Sequence, residues 1–132
     1  MVDAVATQIL FESASDIVMK FTNVSDGTGE AAVTKVDVSA LTPPTALVSI
    51  DKIYYATDGM AVRVLWDATA DVVAWLVPAN QHGCYDFSEV QPGTLVNNAG
   101  TGITGDIQFT TVGHTSGDTY SIILVMKKRT LV

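Results

Sequence analysis

Ile103-Thr104-Gly105-Asp106-Ile107-Gln108-Phe109-Thr110-Thr111-Val112, then Gly113-His114-Thr115-Ser116-Gly117-Asp118, then Thr119-Tyr120-Ser121-Ile122-Ile123-Leu124-Val125-Met126-Lys127-Lys128: this stretch decides the fold class. Ile107, Phe109 and Thr111 alternate with Gln108 and Thr110. A period of two is what a half-buried strand requires, because successive side chains leave opposite faces of the pleat. The Gly/His/Thr/Ser/Asp segment is a turn, and the β-branched, aromatic and aliphatic run after it is a second strand.

The same grammar extends outward. From Ser15 to Asn23, Ile17, Met19 and Phe21 face one way, and Val18, Lys20 and Thr22 the other. Asp26-Gly27 marks the next turn, and strand character resumes over Ala31–Leu41 until Thr42-Pro43-Pro44-Thr45 breaks it, since proline has no N–H for a ladder. Ala46–Thr57 is a strand ending at Asp58-Gly59. Ala61–Trp66 and Val72–Val77 form a hairpin around Asp67–Asp71, which brings Trp75 near Arg63 or Leu65. Pro78–Gly102 is irregular, interrupted by a short strand at Cys84-Tyr85-Asp86-Phe87, and a connection this long is usually functional or interfacial. No stretch carries a helical stripe. The expected fold is therefore all-β: an antiparallel β-sandwich, jelly-roll-like, of about eight strands, in a single domain over residues 1–132. Residues 1–14 contain Gln8-Ile9-Leu10-Phe11, either a first strand or an arm that docks on a neighbour.

Composition narrows the function. The chain has 132 residues, 48% apolar and only 16% charged, where about 25% charged is usual. So little charge suggests a surface partly covered by other subunits. At a net charge of −7, nucleic acid is not an expected partner, because phosphate contact needs Lys and Arg, and the lone basic run is Lys127-Lys128-Arg129. No run approaches the roughly 18 apolar residues of a membrane helix, so no membrane partner is expected either. The start Met1-Val2-Asp3-Ala4 lacks a signal-peptide pattern, and the single Cys84 precludes an internal disulfide. Synthesis in the cytoplasm is expected.

The candidate chemistry is sparse. His82, Cys84 and Asp86 are too few and too unpaired for zinc, so Cys84 is read as a packed residue at the start of a strand. A Cys84 nucleophile would need His114 brought close from a distant turn. The glycines of Asn97–Asp106 lack the Lys-Ser/Thr of a phosphate loop. Asp26, Asp58, Asp67, Asp71, Asp106 and Asp118 occupy turns, where Asp bonds to nearby backbone, and form no calcium loop. Glu12, Glu30 and Glu89 are scattered, so no acid/base pair can be drawn. Trp66 and Trp75 lie in apolar strands as packing anchors. No enzyme activity, metal or cofactor is expected.

Three stretches carry a family likeness: Val18–Glu30 (VMKFTNVSDGTGE), Arg63–Thr69 (RVLWDAT) and Gly105–His114 (GDIQFTTVGH). In these the chain resembles small virion structural proteins of tailed bacteriophages. The resemblance implies a capsid decoration, or cement, protein on the outside of the head. Such a protein bridges major capsid protein subunits, often as a homotrimer at local threefold positions; a tail or neck position is the related alternative. It implies a virion location and supplies no active-site motif. The contact residues expected are Ile9, Leu10 and Phe11 of the arm and Gln81, His82, Tyr85, Asn97 and Asn98 of the long loop. The second functional class is a carbohydrate- or receptor-binding module, which an exposed aromatic pair such as Tyr54 and Tyr55, or Tyr85, would favour.

Overall fold

The computed structural model describes residues 4–27, 29–41, 44–89, 93–97, 99–100, 102–113 and 115–129. These contain nine strands: β1 (Ala4–Glu12), β2 (Asp16–Val24), β3 (Val33–Val36), β4 (Leu47–Asp58), β5 (Ala61–Trp66), β6 (Val72–Val77), β7 (His82–Asp86), β8 (Ile107–Val112) and β9 (Thr119–Arg129). Short 3₁₀ turns follow β3 at Val38–Ala40 and β7 at Phe87–Glu89. A five-stranded sheet runs β1-β2-β9-β4-β7 and a four-stranded sheet runs β3-β8-β5-β6. All neighbours are antiparallel. The fold is all-β, as expected, with one strand beyond the eight anticipated. The N-terminal segment supplies an edge strand laddered to β2, where a free arm was the other expectation.

Alternation places the core between the sheets. Ile17, Met19 and Phe21 of β2 and Tyr120, Ile122, Leu124 and Met126 of β9 meet Ile107 and Phe109 of β8 and Val62, Val64 and Trp66 of β5 in one buried cluster. Phe109 packs edge-on against Phe21, with centroids 5.2 Å apart, and against Tyr120 at 5.8 Å, so aromatic contacts join the two sheets.

β8 and β9 adjoin in the chain but do not pair. β8 lies between β3 and β5, while β9 lies between β2 and β4, so the turn between them crosses from one sheet to the other. Of the pairs consecutive in the chain, β1–β2 and β5–β6 ladder locally. The β5–β6 hairpin differs from expectation by one residue. Its register shifts between Val64 and Leu65, so Val64 faces Trp75 and Leu65 faces Val73, leaving Ala74 extra. A bulge of this kind reverses side-chain parity, and it turns Trp75 inward beside buried Val64 instead of beside Arg63 or Leu65.

A buried polar joint closes one end of the sandwich. The Glu30 carboxylate accepts hydrogen bonds from the Tyr120 hydroxyl (2.6 Å) and the Asn23 side-chain amide (3.0 Å), and it pairs with the buried Lys35 ammonium. The Glu30 backbone N–H donates to Thr111 Oγ1 at 2.8 Å, and its carbonyl accepts from the Thr111 N–H at 3.0 Å. One residue thus ties β2, β3, β8 and β9. Breaking a buried ion pair from one side leaves an uncompensated charge, whereas replacing both partners with apolar residues does not. We expect Glu30→Ala to lower the unfolding free energy by about 3–5 kcal/mol. Glu30→Leu combined with Lys35→Met should recover much of that loss. Urea titration of the three proteins measures both effects, and a double variant weaker than Glu30→Ala would contradict the assignment.

Candidate functional site: two apolar rims

Large exposed apolar side chains concentrate on two strand edges. The first is β1, the outer edge of the five-stranded sheet. Val5, Ile9, Leu10 and Phe11 are each about half exposed. The β1–β2 register runs without interruption from Ala4 opposite Val24 to Ile9 opposite Met19, then shifts so that Phe11 faces Val18. Leu10 is the bulged residue. Residues opposed in an antiparallel pair share a face. Val5, Thr7 and Ile9 oppose Asn23, Phe21 and Met19, all buried, and so lie on the core-facing side. They stay exposed because five strands face four, and the outermost strand of the larger sheet has nothing above it. Phe11, opposite half-buried Val18, lies on the other face. The far end of β1 is pinned by Glu12, whose carboxylate accepts from Lys128 Nζ at 3.0 Å in a largely buried pair.

The second rim lies where β6 and β7 edge their respective sheets. Trp75 of β6 packs on Tyr85 of β7 (4.6 Å) and on Phe87 (5.0 Å), and Tyr85 and Phe87 are 5.1 Å apart. Phe87 is buried and Tyr85 nearly half exposed. Leu76 at 60% and Val73 at 49% exposure complete the rim. Arg63, Leu76, Val77, Pro78 and Val112 line a shallow apolar hollow beside it.

The turn carrying Gln81 and His82 is held firmly. The Thr57 hydroxyl donates to the Pro78 carbonyl at 2.7 Å, the Thr57 N–H donates to the Gln81 carbonyl at 2.8 Å, and Asn80 Oδ1 accepts from the Gly59 N–H at 2.8 Å. Gly59 has φ +87°, and a β-carbon there would collide with the Asp118 carboxylate, so Asp58-Gly59 needs glycine on both counts.

The expected contact residues therefore separate. Ile9, Leu10 and Phe11 lie on one edge of the five-stranded sheet, and Gln81, His82 and Tyr85 on the opposite edge, all exposed. Asn97 is buried: its Oδ1 accepts from the Ala99 N–H at 3.1 Å, close to where Leu95 bridges Ile50 and extends the β4 edge beyond β7. Asn98 lies outside the described residues, as does His114. Val73 and Leu76 escaped the sequence reading, because a run of six apolar residues looks like a buried strand.

Cys84, expected to be packed, is exposed on β7 opposite Tyr54. Among the described residues, no three His, Cys, Asp or Glu side chains gather as a metal site requires. Glu12 and Glu30 are each engaged by a lysine. Asp86 caps the turn after β7: the Ser88 N–H donates to it at 2.9 Å, and that bond, with the Ser88 hydroxyl and nearby Lys52, holds its carboxyl below the usual range. Asp37, Asp71 and Asp118 likewise accept from backbone N–H groups in their own turns.

Tyr54 is exposed, but Tyr55, the next residue of β4, leaves the opposite face and packs partly against the core; Tyr85, exposed opposite buried Ile53, also lies on that core-facing side, so neither shares a platform with Tyr54. No protein-family model, curated protein or solved structure matches this chain.

Asp106 offers a test of local electrostatics. Burial pushes its carboxyl above the usual range, and the Asp37 and Asp67 charges add to this, against the Val38 N–H that donates to Oδ1 at 3.0 Å. A carboxyl raised on folding is stabilising when protonated. Its contribution is present below the unfolded value and is lost as pH rises through the folded value. Asp106→Asn keeps an oxygen for Val38 and removes the charge. Its melting temperature should exceed that of the parent at pH 7, and the difference should shrink as pH falls into and below the ordinary carboxylate range. A difference that grows toward acid would contradict this.

Proposed function

We propose that this chain is a non-enzymatic structural protein of a tailed-bacteriophage particle. In this reading it decorates the outside of the head, with its β6–β7 rim seated on major capsid protein subunits. The observation that carries the reading is that rim. Leu76, Val73 and Tyr85 are exposed around half-buried Trp75, next to the hydrogen-bonded turn that carries Gln81, and among the described residues no three His, Cys, Asp or Glu side chains gather there as a metal site requires. A surface of this kind binds protein. The likeness of residues 18–30, 63–69 and 105–114 to phage virion proteins directs the choice of partner.

The strand order supports the finer architectural reading of a jelly roll. With β1 set aside, β2-β9-β4-β7 covers β3-β8-β5-β6. The ladders β2–β9, β3–β8, β4–β7 and β5–β6 are what results when one long antiparallel hairpin is rolled into two sheets. Such rolls recur in capsid and lectin domains, so the fold is compatible with a head protein without specifying one.

At about 25 cal/mol per Å² of apolar area, a rim burying a few hundred Å² contributes several kcal/mol before association costs. Repeated attachment over a shell multiplies the effect through effective concentration. The test is co-sedimentation of the purified protein with empty phage capsids. The parent should pellet with heads at saturable occupancy. Leu76→Asp with Val73→Asp, both at exposed positions, should weaken apparent affinity at least tenfold, or about 1.4 kcal/mol. A parent protein that leaves heads bare overturns the reading. Binding to isolated tails, or to glycans on an array, would favour the tail or receptor-binding alternative.

A further inference from the structure

We infer that β1 pairs with β1 of a second copy of this chain, antiparallel about a twofold axis at Thr7, so that the two five-stranded sheets become one. A free edge strand displays unpaired N–H and C=O groups and is a template for another strand unless charge, proline, a bulge or shortness blunts it. β3 is four residues long and contains Lys35; β7 is five residues long and contains Gly83 and Asp86. β6 carries its bulge at Ala74, in the middle of the strand, which breaks straight pairing. β1 alone among the described edges is long, is free of charge and proline from Ala4 to Phe11, and has its bulge near one end. Its straight portion runs from Ala4 to Ile9.

Face parity and the self-complementary placement of Val5 and Ile9 point to a second copy, and the uncharged edge from Ala4 to Phe11 permits it. The chain carries −7, so two molecules repel over most approaches. The β1 edge brings no ionisable group to the contact until Glu12, and Glu12 is neutralised by Lys128. In a continuous antiparallel sheet, opposed residues must share a face, which a twofold axis through a residue position satisfies. With Thr7 on the axis, Val5 faces the partner's Ile9, Ala6 faces the partner's Gln8, and Thr7 faces the partner's Thr7. The two large side chains left exposed on the core-facing side of β1, Val5 and Ile9, then cover one another, and β-branched Thr7 lies between them. An axis at Ala6 would leave Ile9 outside the paired segment. The contact is isologous, the form most soluble dimers take, and differs from the threefold arrangement that the family likeness implies.

Two measurements on the full chain test this. Sedimentation velocity of the parent at tens of micromolar should give a dimer, and Thr7→Lys, which sets two ammonium groups face to face on the axis, should give a monomer with an unchanged far-UV spectrum. In a Cys84→Ser background, Thr7→Cys should form a disulfide-linked dimer under mild oxidation, because opposed α-carbons lie about 4.5–5.5 Å apart, within the roughly 4.4–6.8 Å that a disulfide spans. Val5→Cys in the same background should not cross-link, since the two copies of residue 5 are offset by four residues, roughly 13 Å along the strand. A monomeric parent, a trimer, or equal cross-linking at positions 5 and 7 overturns the pairing. Neither readout involves capsids, so the pairing and the head-binding reading stand or fall separately.

Discussion

A single buried carboxylate organises this sandwich. Glu30 sits in the connection between β2 and β3, and its side chain is spoken for by Tyr120, Asn23 and Lys35 while its backbone pairs with Thr111. Those partners belong to four strands in two sheets. An ionised group can be buried only when its oxygens are satisfied, which makes its geometry demanding. The joint ties β3 and β8 of one sheet to β2 and β9 of the other at this end of the sandwich.

Coverage then decides which surfaces are free. Four strands cannot roof five, so β1 carries Val5 and Ile9 on a core-facing side with no core above it. At the opposite flank the sheets meet edge to edge through Trp75, Tyr85 and Phe87, and the apolar residues of β6 beyond that contact face outward. The low charge of the chain has its counterpart here: many of its exposed large apolar side chains lie along two strand edges, which present directional backbone groups as well as apolar area. Both features suit strand-to-strand or rim-to-protein contact better than small-molecule binding. Glu12 and Glu30 are paired with lysines, Asp37, Asp71, Asp86 and Asp118 accept from backbone N–H groups in their own turns, and Cys84 lies on an edge strand.

Much of the fold was legible residue by residue. The alternation in β2, β5 and β8 sorted side chains onto two faces, and the face carrying Ile17, Met19, Phe21, Val62, Val64, Trp66, Ile107 and Phe109 is the buried one, because the pleat imposes its period locally. Asp58-Gly59 and the β5–β6 hairpin were legible from turn chemistry. The bulges at Leu10 and Ala74 were not. An extra residue has no composition of its own, and it reveals itself only against a partner strand, as the inward turn of Trp75 shows. Of the interface residues, Ile9, Leu10 and Phe11 stood out as an apolar run without an evident core. Leu76 and Val73 did not, because their exposure depends on β6 being an edge. Asn97 lies in a glycine-rich segment that resembles a surface loop, yet Leu95 bridges to Ile50 and Asn97 beside it is buried.

The amino-acid order by itself determined the kind of structure: pleated strands, their inward and outward faces, and the turns between them, all set by interactions within a few residues. Which strands become neighbours was decided only by the tertiary structure. β2 pairs with β9, β3 with β8 and β4 with β7 across intervening strands, and β8 and β9, adjacent in sequence, part into different sheets. The physical reason is that a strand's period says which face is apolar but not whose edge will satisfy its backbone. That choice is made by the shared core, and it leaves β1 and β7 as the edges of one sheet and β3 and β6 as the edges of the other.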